Sequence, residues 1–128
     1  MRVYYEDTDS GGVVYHSNYL KFMERARTEW LRARGNSQNL MQAQEGILFV
    51  VTKMNIEFLK AARIDDLLSV RARITAASGA SLAFDQSIHN EADDLICRAE
   101  VGVACLDART FRPCRLPASL RLEMNDDA

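Results

Sequence analysis

A chain of 128 residues, 48% hydrophobic and 27% charged, carries enough apolar material for one packed domain over residues 1–128, and too much for a disordered or fibrous protein. Sixteen Lys and Arg oppose eighteen Asp and Glu, a net charge of −2, and the cations are scattered, so no basic face invites nucleic acid. No apolar run approaches the roughly 18–20 residues of an integral membrane segment.

Arg2-Val3-Tyr4-Tyr5-Glu6 is β-prone and predicts a first strand; it lacks the apolar core of a signal peptide. Asp7 to Gly12 is turn chemistry: Asp and Ser bond nearby backbone N–H groups, and Gly tolerates positive φ. Val13-Val14-Tyr15 is a short apolar bridge. Ser17 or Asn18 then caps a helix from about Tyr19 to Arg34, with Gly35 as its stop. Leu20, Met23, Ala26 or Arg27, Trp30 and Leu31 recur at helical spacing, with charged residues on the other faces. Asn36 to Glu45 is polar.

From Gly46 on, the period changes from 3.6 to 2. Met54, Ile56 and Phe58 alternate with Lys53, Asn55 and Glu57. Leu68, Val70, Ala72 and Ile74 repeat the pattern, as do Leu82, Phe84 and Ile88, and then Cys97, Ala99, Val101, Val103 and Cys105. Four strands with one apolar face, linked by turns at Ala62–Asp66, Ser78-Gly79 and Asn90–Asp94, predict an antiparallel meander. With the first strand, the expected fold is α+β: one long helix packed on a curved antiparallel five-stranded sheet, whose open edges a second copy can pair. Pro113 and Pro117 interrupt regular structure near the end.

The three cysteines, Cys97, Cys105 and Cys114, form no metal-ligand spacing, and an odd count argues against a disulfide framework. Two of them share strand parity and read as small buried hydrophobes, which fits a reducing compartment, the cytoplasm.

Chemistry concentrates where the first turn meets the helix. Asp7, Asp9, Gly11, Gly12 and His16 gather beside the positive end of the helix dipole. A calcium loop fails because position twelve from Asp7 is Asn18, not Glu. A serine triad lacks a nucleophile elbow. A metal site has only one histidine nearby, since His89 sits on a distant strand. Acyl transfer to water remains. Asp9 supplies a nucleophile or a base for water, and backbone N–H groups near Tyr15 and His16 receive the oxyanion, where one missing donor costs roughly 2.7–4 kcal/mol of barrier. The competing structural reading makes Asp9 an Asx-turn residue bonded to the Gly11 or Gly12 amide.

The segments Tyr4-Tyr5-Glu6-Asp7-Thr8-Asp9, Gly11 to His16, Asn18-Tyr19-Leu20 and Glu24-Arg25-Ala26-Arg27-Thr28-Glu29 resemble the YbgC-type acyl-CoA thioesterases associated with the bacterial Tol-Pal system. These form part of the 4-hydroxybenzoyl-CoA thioesterase group of hotdog-fold proteins. Phe49-Val50-Val51, Ala62 to Asp66, Gly79 to Leu82 and Leu116-Pro117 extend the resemblance over nearly the whole chain. It implies a hotdog fold, and an enzyme that hydrolyses acyl-CoA to free acid and coenzyme A. Asp9 is then the catalytic carboxylate, as nucleophile or general base, and His16 the oxyanion donor through its backbone N–H. Gly12 and Tyr15 contact substrate.

The resemblance further implies a homo-oligomer, dimer or tetramer, and no cofactor or metal beyond the coenzyme A of the substrate. Some relatives clamp the coenzyme A phosphates with basic residues on a hairpin that here is Ala77-Ser78-Gly79-Ala80, without charge. Arg63 or Arg71 of a neighbouring subunit is the expected substitute, and acyl carrier protein becomes a second acyl donor. The rival reading is an acyl-thioester binding or scaffold protein with little turnover.

Overall fold

The amphipathic segments of the sequence resolve into one helix laid on one sheet. The computed structural model describes residues 1–9, 11–14, 16–33, 46–117 and 120. A single 3-10 turn, Tyr5–Asp7, precedes helix α1, His16–Ala33. Strands β1 (Ile47–Phe58), β2 (Ser69–Ser78), β3 (Ser81–His89) and β4 (Leu95–Asp107) follow. All neighbours are antiparallel.

Among the described residues the sheet has four strands, in the order β1-β4-β3-β2, which corrects two expectations. The meander covers only β2, β3 and β4. Strand β1 pairs with β4, so residues 59–68 cross from one sheet edge to the other. The predicted first strand is also absent from the sheet. Arg2 bridges Leu67 and Val3 is fully buried, but the chain folds back immediately afterwards. The Tyr4 N–H donates to Asp7 Oδ2 over 3.0 Å and the Thr8 hydroxyl donates to the Tyr5 carbonyl over 2.7 Å. Those side chains satisfy the backbone locally and end the extended run.

The helix starts at His16, three residues before the predicted start at Tyr19. Ser17 and Asn18 therefore lie inside its first turn and cap nothing; the predicted end at Arg34 and Gly35 lies outside the described residues. Its buried stripe is Tyr19, Phe22, Met23, Arg27, Trp30 and Leu31, while the expected core residue Leu20 is 37% exposed. Trp30 packs edge-on against Phe84 of β3, with centroids 5.5 Å apart. The strand parities hold: Leu82, Phe84 and Ile88 of β3 and Cys97, Ala99, Val101, Val103 and Cys105 of β4 are buried under the helix. Burying large side chains of this kind stabilises by roughly 1.5–3 kcal/mol each. The parity of β1 is weaker. Met54 and Ile56 are half-buried, and Phe58 is 46% exposed.

Candidate active site

Residues 4–9 and 11–14 form a folded turn, not a loose loop. Thr8 bridges Val14, the Asp9 N–H donates to the Val13 carbonyl over 2.9 Å, and the Gly12 N–H donates to the Asp9 carbonyl over 3.0 Å. Closing so tight a turn needs a left-handed residue, and Gly12 supplies it at φ +77°. Asp9 Oδ1 accepts the Gly11 N–H over 2.8 Å. This is the Asx-turn bond of the structural reading, so that reading describes a real interaction. It occupies one carboxylate oxygen. Oδ2 takes no hydrogen bond from the described residues, and Asp9 is exposed.

Contacts on two sides fasten this turn. Asn18 Nδ2, in the first turn of α1, donates to the Asp7 carbonyl over 2.9 Å. On the other side the crossover receives it: the Val14 N–H donates to the Ala62 carbonyl over 2.7 Å, Val13 bridges Arg63, and the Ile64 N–H reaches the Gly12 carbonyl at 3.4 Å. The Ala62 N–H in turn donates to the buried Tyr19 hydroxyl over 2.9 Å. Turn, helix start and crossover therefore form one corner. Burial pushes the Tyr19 hydroxyl pKa up, against the lowering effect of that N–H.

His16 is the first residue of α1, where the dipole is positive and the first-turn N–H groups have no carbonyl one turn earlier within the helix. Its ring meets the edge of Phe58 at 6.0 Å, and Phe58 lies 5.7 Å from Tyr19. Gly12 and Arg63 are brought near each other by their chain neighbours, through the Ile64 N–H to the Gly12 carbonyl and the Val13–Arg63 bridge. The Arg63 N–H is held by Asp66 Oδ2 at 2.8 Å, and its side chain is exposed with no ion pair to a described residue. Arg71, the other expected phosphate partner, lies on β2 and is paired with Asp93 at 2.7 Å. Tyr15 lies outside the described residues. Among those residues no cluster of three metal-ligating side chains occurs.

Phe58, which the sequence places on the apolar parity of its strand and among the side chains that set pocket depth, stands partly open beside His16. One feature has no counterpart in the sequence reading: a cavity of about 360 Å³ between α1 and strands β1, β3 and β4, lined among others by Glu24, Arg27, Thr28, Phe49 and Phe84. Arg27 is 8% exposed and burial lowers its pKa. Its Nη1 donates to Gln86 Oε1 over 2.7 Å, and Gln86 Nε2 donates to the Met23 carbonyl over 2.9 Å. Gln86 occupies a core position of β3 between Phe84 and Ile88, a break in the apolar alternation that was the available clue.

Comparison with known proteins shows the family. The family model described as the thioesterase superfamily matches residues 11–97. The chain is 49% identical over 123 residues to an acyl-CoA thioester hydrolase YbgC of Escherichia coli, covering 96% of this chain and 91% of that one. A probable thioesterase from Bartonella henselae is similar in structure, with TM-score 0.86 and 40% identity, over 91% of this chain and 95% of that chain. A 1,4-dihydroxy-2-naphthoyl-CoA thioesterase from Synechocystis superposes with TM-score 0.90 at 27% identity, over 98% and 93% of the two chains.

Proposed function

The chain belongs to the thioesterase superfamily, among the YbgC acyl-CoA thioester hydrolases, and on that footing we propose that it hydrolyses acyl-CoA with Asp9 as the acting carboxylate. It is a thioester hydrolase of the hotdog fold. The observation that carries the finer reading is the exposed Asp9 carboxylate on a turn hydrogen-bonded to the first turn of α1.

With the thioester carbonyl against the helix start, the oxyanion that forms on attack accepts the His16 N–H, and the helix dipole favours its charge. Asp9 acts in one of two ways. As a base it takes a proton from water, whose oxygen adds to the acyl carbon; collapse of the adduct breaks the C–S bond, and the coenzyme A thiolate takes up that proton. As a nucleophile it adds directly, collapse expels the thiolate to leave a mixed anhydride, and water then cleaves the anhydride. The Gly11 N–H bond to Oδ1 orients the carboxylate for either role. Single turnover in ¹⁸O water separates them, since only the nucleophilic route leaves label in Asp9.

The family resemblance assigns substrate contacts to Gly12 and Tyr15, and Arg63, exposed and without an ion pair to a described residue, is the candidate for a coenzyme A phosphate. The uncharged β2–β3 turn leaves acyl carrier protein as a second acyl donor. Strand β1 is an open edge with Val50 and Val51 38% and 43% exposed, which supports a second copy there and a dimer or tetramer. No helix among the described residues is long and apolar enough to cross a membrane. A cytoplasmic enzyme alongside the Tol-Pal system is the setting the family resemblance favours.

The test is Asp9→Asn. Fold and oligomer persist while kcat/KM falls by ~10²–10⁴, the usual weight of a positioned acid–base group. Turnover close to wild type would end the assignment. An acyl-CoA chain-length series then fixes the substrate, and binding without turnover across it would favour the scaffold reading.

A further inference from the structure

Strand β4 ends at Asp107, and the chain reverses there. Asp107 Oδ1 accepts the Arg109 and Thr110 N–H groups at 2.8 and 3.0 Å. The returning segment then runs antiparallel to the end of β4. The Asp107 N–H donates to the Arg112 carbonyl over 2.8 Å, Leu106 bridges Pro113, and the Cys114 N–H donates to the Cys105 carbonyl over 2.9 Å. Cys105 and Cys114 are therefore directly opposite, and their sulfurs lie 3.5 Å apart.

Opposed residues of an antiparallel pair have Cα atoms ~4.5–5.5 Å apart, inside the ~4.4–6.8 Å range that a disulfide spans. The sulfurs need to approach by roughly 1.5 Å to reach a bond of ~2.05 Å. Cys105 is fully buried, with its sulfur also 3.8 Å from the Arg115 carbonyl; Cys114 is half-buried, the more accessible residue of the two. Cys97 stands eight residues back on β4, roughly 27 Å away along the strand.

We propose that Cys105 and Cys114 form a redox modification site, which a hydroperoxide converts to an intrachain disulfide. The outer Cys114 sulfur attacks a peroxide oxygen; an S–O bond forms, the O–O bond breaks, and water or an alcohol leaves with the thiol proton. The Cys105 sulfur then displaces the hydroxyl of the resulting sulfenic acid. The S–S bond forms, and that hydroxyl leaves as water with the Cys105 proton. Two thiols lose two electrons and the peroxide gains them. A thiol reductant reverses the step. The bond pins the returning segment to β4, and with it Leu116, whose N–H donates to the Gly79 carbonyl over 3.0 Å and whose side chain is buried in the core. None of this depends on the thioesterase reading.

The full chain is treated with stoichiometric hydrogen peroxide, denatured, alkylated and mapped by mass spectrometry without reduction. The expected result is loss of two of the three thiols, a peptide pair joined through Cys105 and Cys114 within one chain, and reversal by dithiothreitol. Cys97→Ser forms the same link. Cys114→Ser, a change at a half-buried position, forms none and keeps both remaining thiols. Cys114 advancing to sulfinic acid while Cys105 stays alkylatable would overturn the proposal, as would a link through Cys97 or only between chains.

Discussion

Arg27 Nη1 donates to Gln86 Oε1 over 2.7 Å in the middle of the packed face between α1 and β3, with no carboxylate in the bond. Both side chains are buried, and Gln86 also holds the Met23 carbonyl. Gln86→Leu leaves a buried guanidinium with no protein acceptor, and should cost ~1–3 kcal/mol in urea unfolding. Arg27→Met should also destabilise, by stranding the amide oxygen. The double variant should lose less than the two singles together, because two apolar side chains leave nothing unsatisfied. Additive losses would mean that the pair does not act as a unit.

Neighbouring glycines in the turn should fail differently. At Gly12 a Cβ meets no atom within 4 Å, but φ is +77°. Gly12→Ala should therefore lower stability by ~1–2 kcal/mol through backbone strain. At Gly11 a Cβ would sit 3.3 Å from Asp9 Oδ1. Gly11→Ala should displace that carboxylate and lower kcat more than the unfolding midpoint. Equal patterns for the two variants would contradict this division.

Phe58 touches the His16 ring without being sealed in the core. An aromatic edge contact is worth ~0.5–1.5 kcal/mol, so Phe58→Leu should reduce kcat/KM by roughly 2- to 12-fold with little change in thermal midpoint. Phe58→Tyr keeps the ring and should restore it. Unchanged kinetics in the leucine variant would detach Phe58 from the site.

Burial holds the Cys97 thiol pKa up at about 11. In the unfolded chain the thiol ionises near ~8.5, so between these values the native state binds more protons and stability falls as pH rises. Tyr19, shifted upward by burial as well, adds to the same alkaline limb. Cys97→Ala should flatten the loss between about pH 9 and 11 in unfolding experiments. An identical alkaline slope in that variant would remove Cys97 from the account.

Local patterns were legible because they answer to one element at a time. The alternation along β2, β3 and β4 announced which residues go inside, and the turn at Gly79 lies where the period stops. Pairing partners are a property of the whole sheet, so nothing between Phe58 and Ser69 told that β1 sits beside β4. The missing first strand turned on side chains bonding backbone three residues away, at Tyr4 with Asp7, where β-propensity is blind. Arg27 fell on the helical stripe, but its tolerance inside depends on Gln86, 59 residues later. Asp9 stands out in the sequence by its neighbours; of its two readings the structure shows the Asx-turn bond from Gly11, which leaves the second carboxylate oxygen open to the proposed role.

The order β1-β4-β3-β2 also dictates when the fold can close. Partners on β1 and β4 are separated by 39 to 60 residues, from Phe58 with Cys97 to Ile47 with Asp107. The hairpins of β2, β3 and β4 form from near neighbours, whereas β1 needs the last strand before it has anywhere to go. On a ribosome, Val50 and Val51 emerge early and wait unsatisfied until β4 clears the exit tunnel. During this interval the edge that β4 later covers stands open to pairing with other strands.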